Sequence, residues 1–105
     1  MLAGPLNGVP RSTYRDDARW NSERVAIEFT LDLYSGVDHR VVRCRVPWEA
    51  LCDAARGADR GDAAKAMQLY QRFSDRIKAI VDAKVTDASY EQDGSVLVHS
   101  AELSR

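Results

Sequence analysis

Two cysteines, two histidines and three prolines are all that a chain of 105 residues contains of those types. Each scarcity excludes something. Cys44 and Cys52 are too few for a disulfide scaffold and lack the C-x-x-C spacing of a zinc or redox site. Both fall at positions that read as core, so free buried thiols in a reducing compartment are expected. His39 and His99 share no His-x-x-x-His or Cys-His spacing, which leaves no metal-ligand pattern. No apolar run is long enough to cross a bilayer, and residues 1–10 have no basic segment leading into an apolar one. A membrane span or secretion leader is not expected, and the cytoplasm is the expected location. Gly4 and Gly8 make no phosphate loop, because no Gly-Lys-Ser/Thr follows and no strand precedes them. The formal net charge of -1 lacks the basic excess of a general polyanion binder.

What is present is periodicity. Residues 62–85 lie in the longest stretch without Gly or Pro. Met67, Tyr70, Phe73, Ile77, Ile80 and Val81 recur at steps of three and four, with Ala63 and Ala66 extending the stripe backwards. Lys65, Gln68, Arg72, Asp75, Lys78 and Asp82 fall on the other side. This is an amphipathic helix, capped by Asp59 or Asp62, whose apolar stripe is core rather than a cofactor box.

Residues 24–34 alternate instead. Val25, Ile27, Phe29, Leu31 and Leu33 point one way, and Ala26, Glu28, Thr30 and Asp32 the other. A turn at residues 34–38 uses Gly36 for positive φ. The return strand, residues 39–46, puts Val42, Cys44 and Val46 on one face and Val41, Arg43 and Arg45 on the other. A two-residue loop at Ser35-Gly36 or at Gly36-Val37 pairs odd residues with even ones. Either register brings the two apolar sets together and sets Glu28 opposite Arg43 or Arg45; a slip of one residue destroys both agreements.

Pro47 opens a short helix to Ala55, with Gly57 as its expected C-terminal cap and a linker over residues 56–61. Asp93-Gly94 signals a turn, residues 95–100 a third strand with Val96 and Val98 on one face, and residues 101–105 a fraying tail. Residues 1–18 read as a flexible or loosely packed arm, although Tyr14 and Trp20 should anchor the polar segment that holds them. Residues 19–105 form one domain. The order β-β-α-α-β describes an α+β fold of two layers, a small antiparallel sheet packed on one long helix.

The same residues resemble a known family. Arg19-Trp20-Asn21, Arg24-Val25 to Phe29, Val42-x-Cys44-x-Val46 and Glu49-Ala50-Leu51 match its pattern in order and spacing. So do Phe73, Arg76-Ile77, Ala83-Lys84, Asp93-Gly94-x-Val96 and Glu102-Leu103. The family is the bacterial domain of unknown function numbered 1488, and the resemblance covers about residues 19–103. It implies a compact α+β domain of cytoplasmic bacterial type, and it implies no activity and no catalytic residues.

Three function classes follow. For catalysis, Cys44 stands between Arg43 and Arg45, but strand parity sends both arginines to the face opposite the thiol, and no nucleophile–base–orienter set stands out. No catalytic, metal or cofactor site is expected, and no small-molecule ligand is evident. For nucleic acid, Arg40, Arg43 and Arg45 crowd one strand with Arg11, Arg15, Arg19 and Arg24 in reach. However, Glu28, Thr30 and Asp32 share the face, and it lacks base-stacking aromatics. The favoured class is a non-enzymatic protein-interaction or regulatory module, binding a protein partner or forming a homodimer. Its contact residues would be Val41 and Leu97 as an apolar centre, with Arg43, Arg45 and Glu28 as a polar rim. The alternatives are a nucleic-acid-associated regulator and an inhibitor of a larger complex of the kind mobile elements encode.

Overall fold

The computed structural model describes residues 11–57 and 62–104. Its elements are β1 (Arg11–Tyr14), β2 (Arg19–Asn21), β3 (Ala26–Ser35), β4 (Asp38–Pro47), α1 (Trp48–Ala55), α2 (Ala63–Thr86), β5 (Val96–Leu97) and α3 (Ser100–Leu103). The fold is α+β, with one sheet of five strands. The central hairpin closes through Gly36 and Val37, which makes Ser35 pair with Asp38. Gly36 takes φ 63° there, the left-handed conformation that a two-residue hairpin turn needs. Ile27 then lies opposite Val46, Phe29 opposite Cys44 and Leu31 opposite Val42. All six are buried, as the alternation requires.

The other edge of β3 is shared. β1 pairs with Leu31–Tyr34 and β2 with Ala26–Glu28, both antiparallel. Arg11–Tyr14, expected to belong to a loose arm, is thus an edge strand; residues 1–10 lie outside the described residues. Tyr14 fixes this strand. Its ring lies 6.0 Å from that of Phe29, and its hydroxyl donates to Asp82 Oδ1 at 2.7 Å, with the Lys78 carbonyl 3.1 Å away. Trp20 anchors β2 by standing edge-on to Trp48 at 6.2 Å.

The sheet is mixed rather than wholly antiparallel. β5 lies beside β4 and parallel to it, with Cys44 opposite Val96 and Arg45 opposite Leu97. A parallel neighbour requires a long crossover, and α1 and α2 supply it. The third strand is also shorter than residues 95–100, and the expected tail is not frayed. Residues 100–103 form α3, opened by the His99 N–H donating to Glu102 Oε1 at 2.9 Å, and Leu103 is fully buried.

α2 covers the inner face of the sheet with Ala66, Tyr70, Phe73, Ile77, Val81 and Val85. These positions step by three and four, and Met67 and Ile80 flank them half-buried. The Asp62 carboxylate accepts the Lys65 N–H at 2.8 Å and caps the helix; Asp59 lies outside the described residues. At the end of α1 the left-handed residue is Arg56, at φ 57°, and not Gly57. The Gly57 N–H reaches back to the Cys52 carbonyl at 3.0 Å, so Gly57 stands one place further out than a capping glycine. Ala88 closes α2 in the same way, at φ 55° with the Ser89 N–H on the Lys84 carbonyl at 2.8 Å.

Val25 departs from the strand pattern. Asn21 Oδ1 accepts the N–H groups of Glu23 and Arg24, closing the β2–β3 turn. The chain then passes through Val25 at φ 52°, leaving its side chain 46% exposed while its carbonyl accepts the Trp48 N–H at 2.9 Å. The inner-face series therefore begins at Ile27.

Two stability outcomes follow. Phe73→Ala removes a buried ring and should lower unfolding free energy by about 3–5 kcal/mol in chemical denaturation. Arg56→Gly and Ala88→Gly relieve left-handed strain at exposed positions, and each should gain roughly 0.5–1 kcal/mol. Unchanged or lowered midpoints for both glycine variants would contradict these caps.

Candidate contact surface on the outer face of the sheet

Register decides what the side of the sheet away from α2 carries. Glu28 stands opposite Arg45, Thr30 opposite Arg43 and Asp32 opposite Val41. Leu97 on β5 lies beside Arg45. Loops then add Asp17, from between β1 and β2, and Asp93 and Ser95, from ahead of β5.

Each carboxylate near this face is already occupied. Glu28 accepts the Asn21 amide at 3.0 Å and Arg45 Nε at 3.3 Å. The Asn21 bond, then the Arg45 guanidinium, hold its carboxyl below the ordinary 4.5. Asp32 takes a two-pronged Arg15 guanidinium, at 2.8 and 2.9 Å, and His39 Nε2 at 2.8 Å. Arg15 first and His39 second hold it well below the usual carboxylate range. The His39 ring is in turn stacked on Tyr34 at 4.6 Å. Asp17 accepts both the N–H and the hydroxyl of Thr30; burial pushes its pKa up, but hydrogen bonding brings it below normal. Asp93 accepts the N–H and hydroxyl of Ser95, and that hydroxyl, then the backbone bond, lowers it too.

The cations are less completely matched. Arg45 has Glu28, as the cross-strand pairing predicts. Arg43 faces Thr30, and no described residue forms an ion pair with Arg19, Arg24 or Arg43. These arginines, with Arg45, Glu28 and Asp93, line a concavity of about 260 Å³. Arg15, Arg19 and Arg24 thus join the outer face as expected from their neighbourhood in sequence, whereas Arg11 pairs at the far end of β3, opposite Tyr34.

The expected apolar centre does not form. Val41 is 49% exposed and Leu97 half-buried, but Leu97 pairs with Arg45, four positions along β4 from Val41. That is about 13 Å of strand. Arg43 projects between them. Val41 sits instead at a strand edge. The Arg45 carbonyl accepts the Val98 N–H at 2.9 Å, so the backbone groups of Arg45 point toward the β5 side. Strand alternation turns those of Arg43 and Val41 the same way. β5 reaches only Cys44 and Arg45, so no described strand lies along β4 beside Val41 and Arg43. A groove there is lined by Val41, Arg43, Asp93, Gly94 and Ser95.

Cys44 faces the core, away from both neighbouring arginines, and burial pushes its thiol up to about 12. It is a protonated core residue at neutral pH. His99 lies outside the strand, at the start of α3. Among the described residues, no three His, Cys, Asp or Glu side chains gather as a metal would need, and no helix is long and apolar enough to cross a membrane. Asn21 and Asp17, which occupy Glu28 and Thr30, were not anticipated. Asn21 gives the one usable signal, an Asx residue just before a turn.

The fold is similar to that of a protein of unknown function from the domain of unknown function 1488 family of Shewanella loihica. The TM-score is 0.72 over 83% of this chain and 90% of that one, at 17% sequence identity, a likeness of fold. No protein-family model and no curated protein matches the chain. The fold expected from the family resemblance is therefore the fold observed.

Acid should loosen this face. Asp17, Glu28, Asp32 and Asp93 have folded-state values below their unfolded ones. Their stabilisation is present above the ordinary values of 3.8 and 4.5, and is lost as pH falls through those values toward the folded ones. Asp32→Asn should flatten the acid limb of a melting-temperature-against-pH profile. An acid limb identical to the parent's would show that the Arg15–Asp32–His39 cluster adds nothing.

Proposed function

We propose that the protein is a non-enzymatic contact module that binds a protein partner, a second copy of itself included, through the outer face and free edge of β4. The observation that carries this reading is the edge at Val41 and Arg43. Its backbone groups have no described strand beside them, an apolar side chain is half exposed there, and it adjoins an arginine, Arg43, that makes no ion pair among the described residues. An unpaired edge offers main-chain hydrogen bonds to an incoming strand, while alternate side chains on the face select its sequence. Arg43, Arg45 and Glu28 supply the polar rim, and Leu97 lies at its far end rather than at the centre. A cytoplasmic regulatory role, including inhibition of a larger complex, fits a module that works by occupancy.

Val41→Glu places a charge on the edge without touching the core. It should abolish self-association in light scattering, or retention of a near-stoichiometric partner in a nuclease-treated pull-down, while the melting temperature stays within a few degrees of the parent's. An undiminished complex would refute contact through this edge. Retention that depends on nucleic acid and weakens steeply with salt would replace the protein partner with a polyanion.

A further inference from the structure

The concavity of about 260 Å³ on the outer face has more charge than its structural role uses. Four arginines, Arg19, Arg24, Arg43 and Arg45, line it together with Glu28 and Asp93. In a face held together by cross-strand pairing, each arginine would sit on a carboxylate. Here Glu28 and Asp93 take neutral donors as well, which fix their direction but leave their charge in place. Glu28 is shared between Asn21 and Arg45, and Asp93 is closed on Ser95. Just outside, Asp32 is held by Arg15 and His39, and Asp17 by Thr30. Arg19 stands across β2–β3 from Glu28 and its charge helps lower Glu28 and Asp17, but neither it nor Arg24 or Arg43 makes a close ion pair among the described residues, although three strands or turns bring them to one hollow.

We infer that this hollow is a binding site for a phosphate-class dianion, held by the guanidinium groups of Arg19, Arg24 and Arg43 with Arg45 behind them. The lining carries two positive charges more than negative ones, which matches a dianion rather than a halide. Guanidinium forks present paired N–H donors to tetrahedral oxyanions, and charge-assisted bonds of this kind are about twice as strong as neutral ones. The volume admits a phosphate group with several waters, at roughly 30 Å³ each. Glu28 and Asp93 face the same space and set a limit on affinity, so a free anion should bind in the millimolar range. The ligand is either a small phosphate monoester or a phosphorylated residue on a partner, since both present the same dianion. The hollow shares Arg43, Arg45 and Glu28 with the contact face, but the inference does not need a protein partner.

The test is an amide chemical-shift titration of the full chain with inorganic phosphate at constant ionic strength. Saturable shifts are expected at Asn21, Thr30, Arg43, Arg45 and Ser95. Arg43→Ala and Arg24→Ala, both exposed positions, should weaken binding by about tenfold or more with the rest of the spectrum unchanged. Glu28→Gln should tighten it, an outcome that a purely structural role for Glu28 would not produce. Parallel titrations with AMP and with a phosphoserine peptide distinguish the two sources, and tighter binding of either supports the site. The inference is overturned if matched chloride produces the same shifts, if Arg43→Ala leaves the affinity unchanged, or if a single-stranded oligonucleotide binds far more tightly than every monoester.

Discussion

Ten residues of β3 lie against ten of β4, and a slip of one would exchange the two faces of the sheet. That pairing decides which side receives α2 and which is left outside. With Gly36 and Val37 as the loop, Phe29 meets Cys44 beneath α2, and Glu28 meets Arg45 on the outside. The alternative loop, one residue earlier, would have kept the inner face apolar but set Glu28 on Arg43. Turn choice therefore keeps the same residues on the inner face and selects which arginine stands opposite Glu28. The conformational freedom of one glycine thus reaches the outer surface through register alone.

The parts of the fold legible in the sequence are those whose cause is local. Alternation over β3 and β4 and the three-four stripe of α2 are periodic signals, and each is long enough to stand by itself. β1 was not legible because only Tyr14 among its residues is large and apolar, and its partners lie in β3 and α2. β5 falls within the strand expected over residues 95–100, but its two-residue length and its parallel direction depend on a crossover that the local sequence does not show. Gly57 misled because a glycine one position beyond a cap looks the same in sequence as the cap itself. Val25 misled because an alternating series does not reveal where a turn begins to consume it.

For the surface, parity placed Val41, Arg43, Arg45 and Glu28 together on one side, and the structure keeps them there. Parity says nothing of distance along a strand, which is why Val41 and Leu97 share a face without meeting. It says still less about competition. Which arginine meets a carboxylate closely depends on what else reaches that carboxylate, and Asn21, Ser95 and Arg15 are brought in by loops and edges whose paths are tertiary. The positive excess in the hollow comes from which residues the fold gathers there, and no count of charges along the chain would show it.

The parallel pairing of β4 with β5 also sets a closure cost. Hairpin β3–β4 joins neighbours in the chain, whereas Cys44 meets Val96 only after two helices have intervened. Closing so long a loop costs entropy before any contact rewards it. Lys84 meets that cost from the end of α2, donating to the Leu97 carbonyl at 2.8 Å and pairing with Glu102 at 2.8 Å. α2 thus acts as a jig as well as a cover: its last turn presents an ammonium that holds both the final strand and the helix beyond it. The stretch of β4 with no described strand beside it is what remains of an edge that β5 is too short to finish.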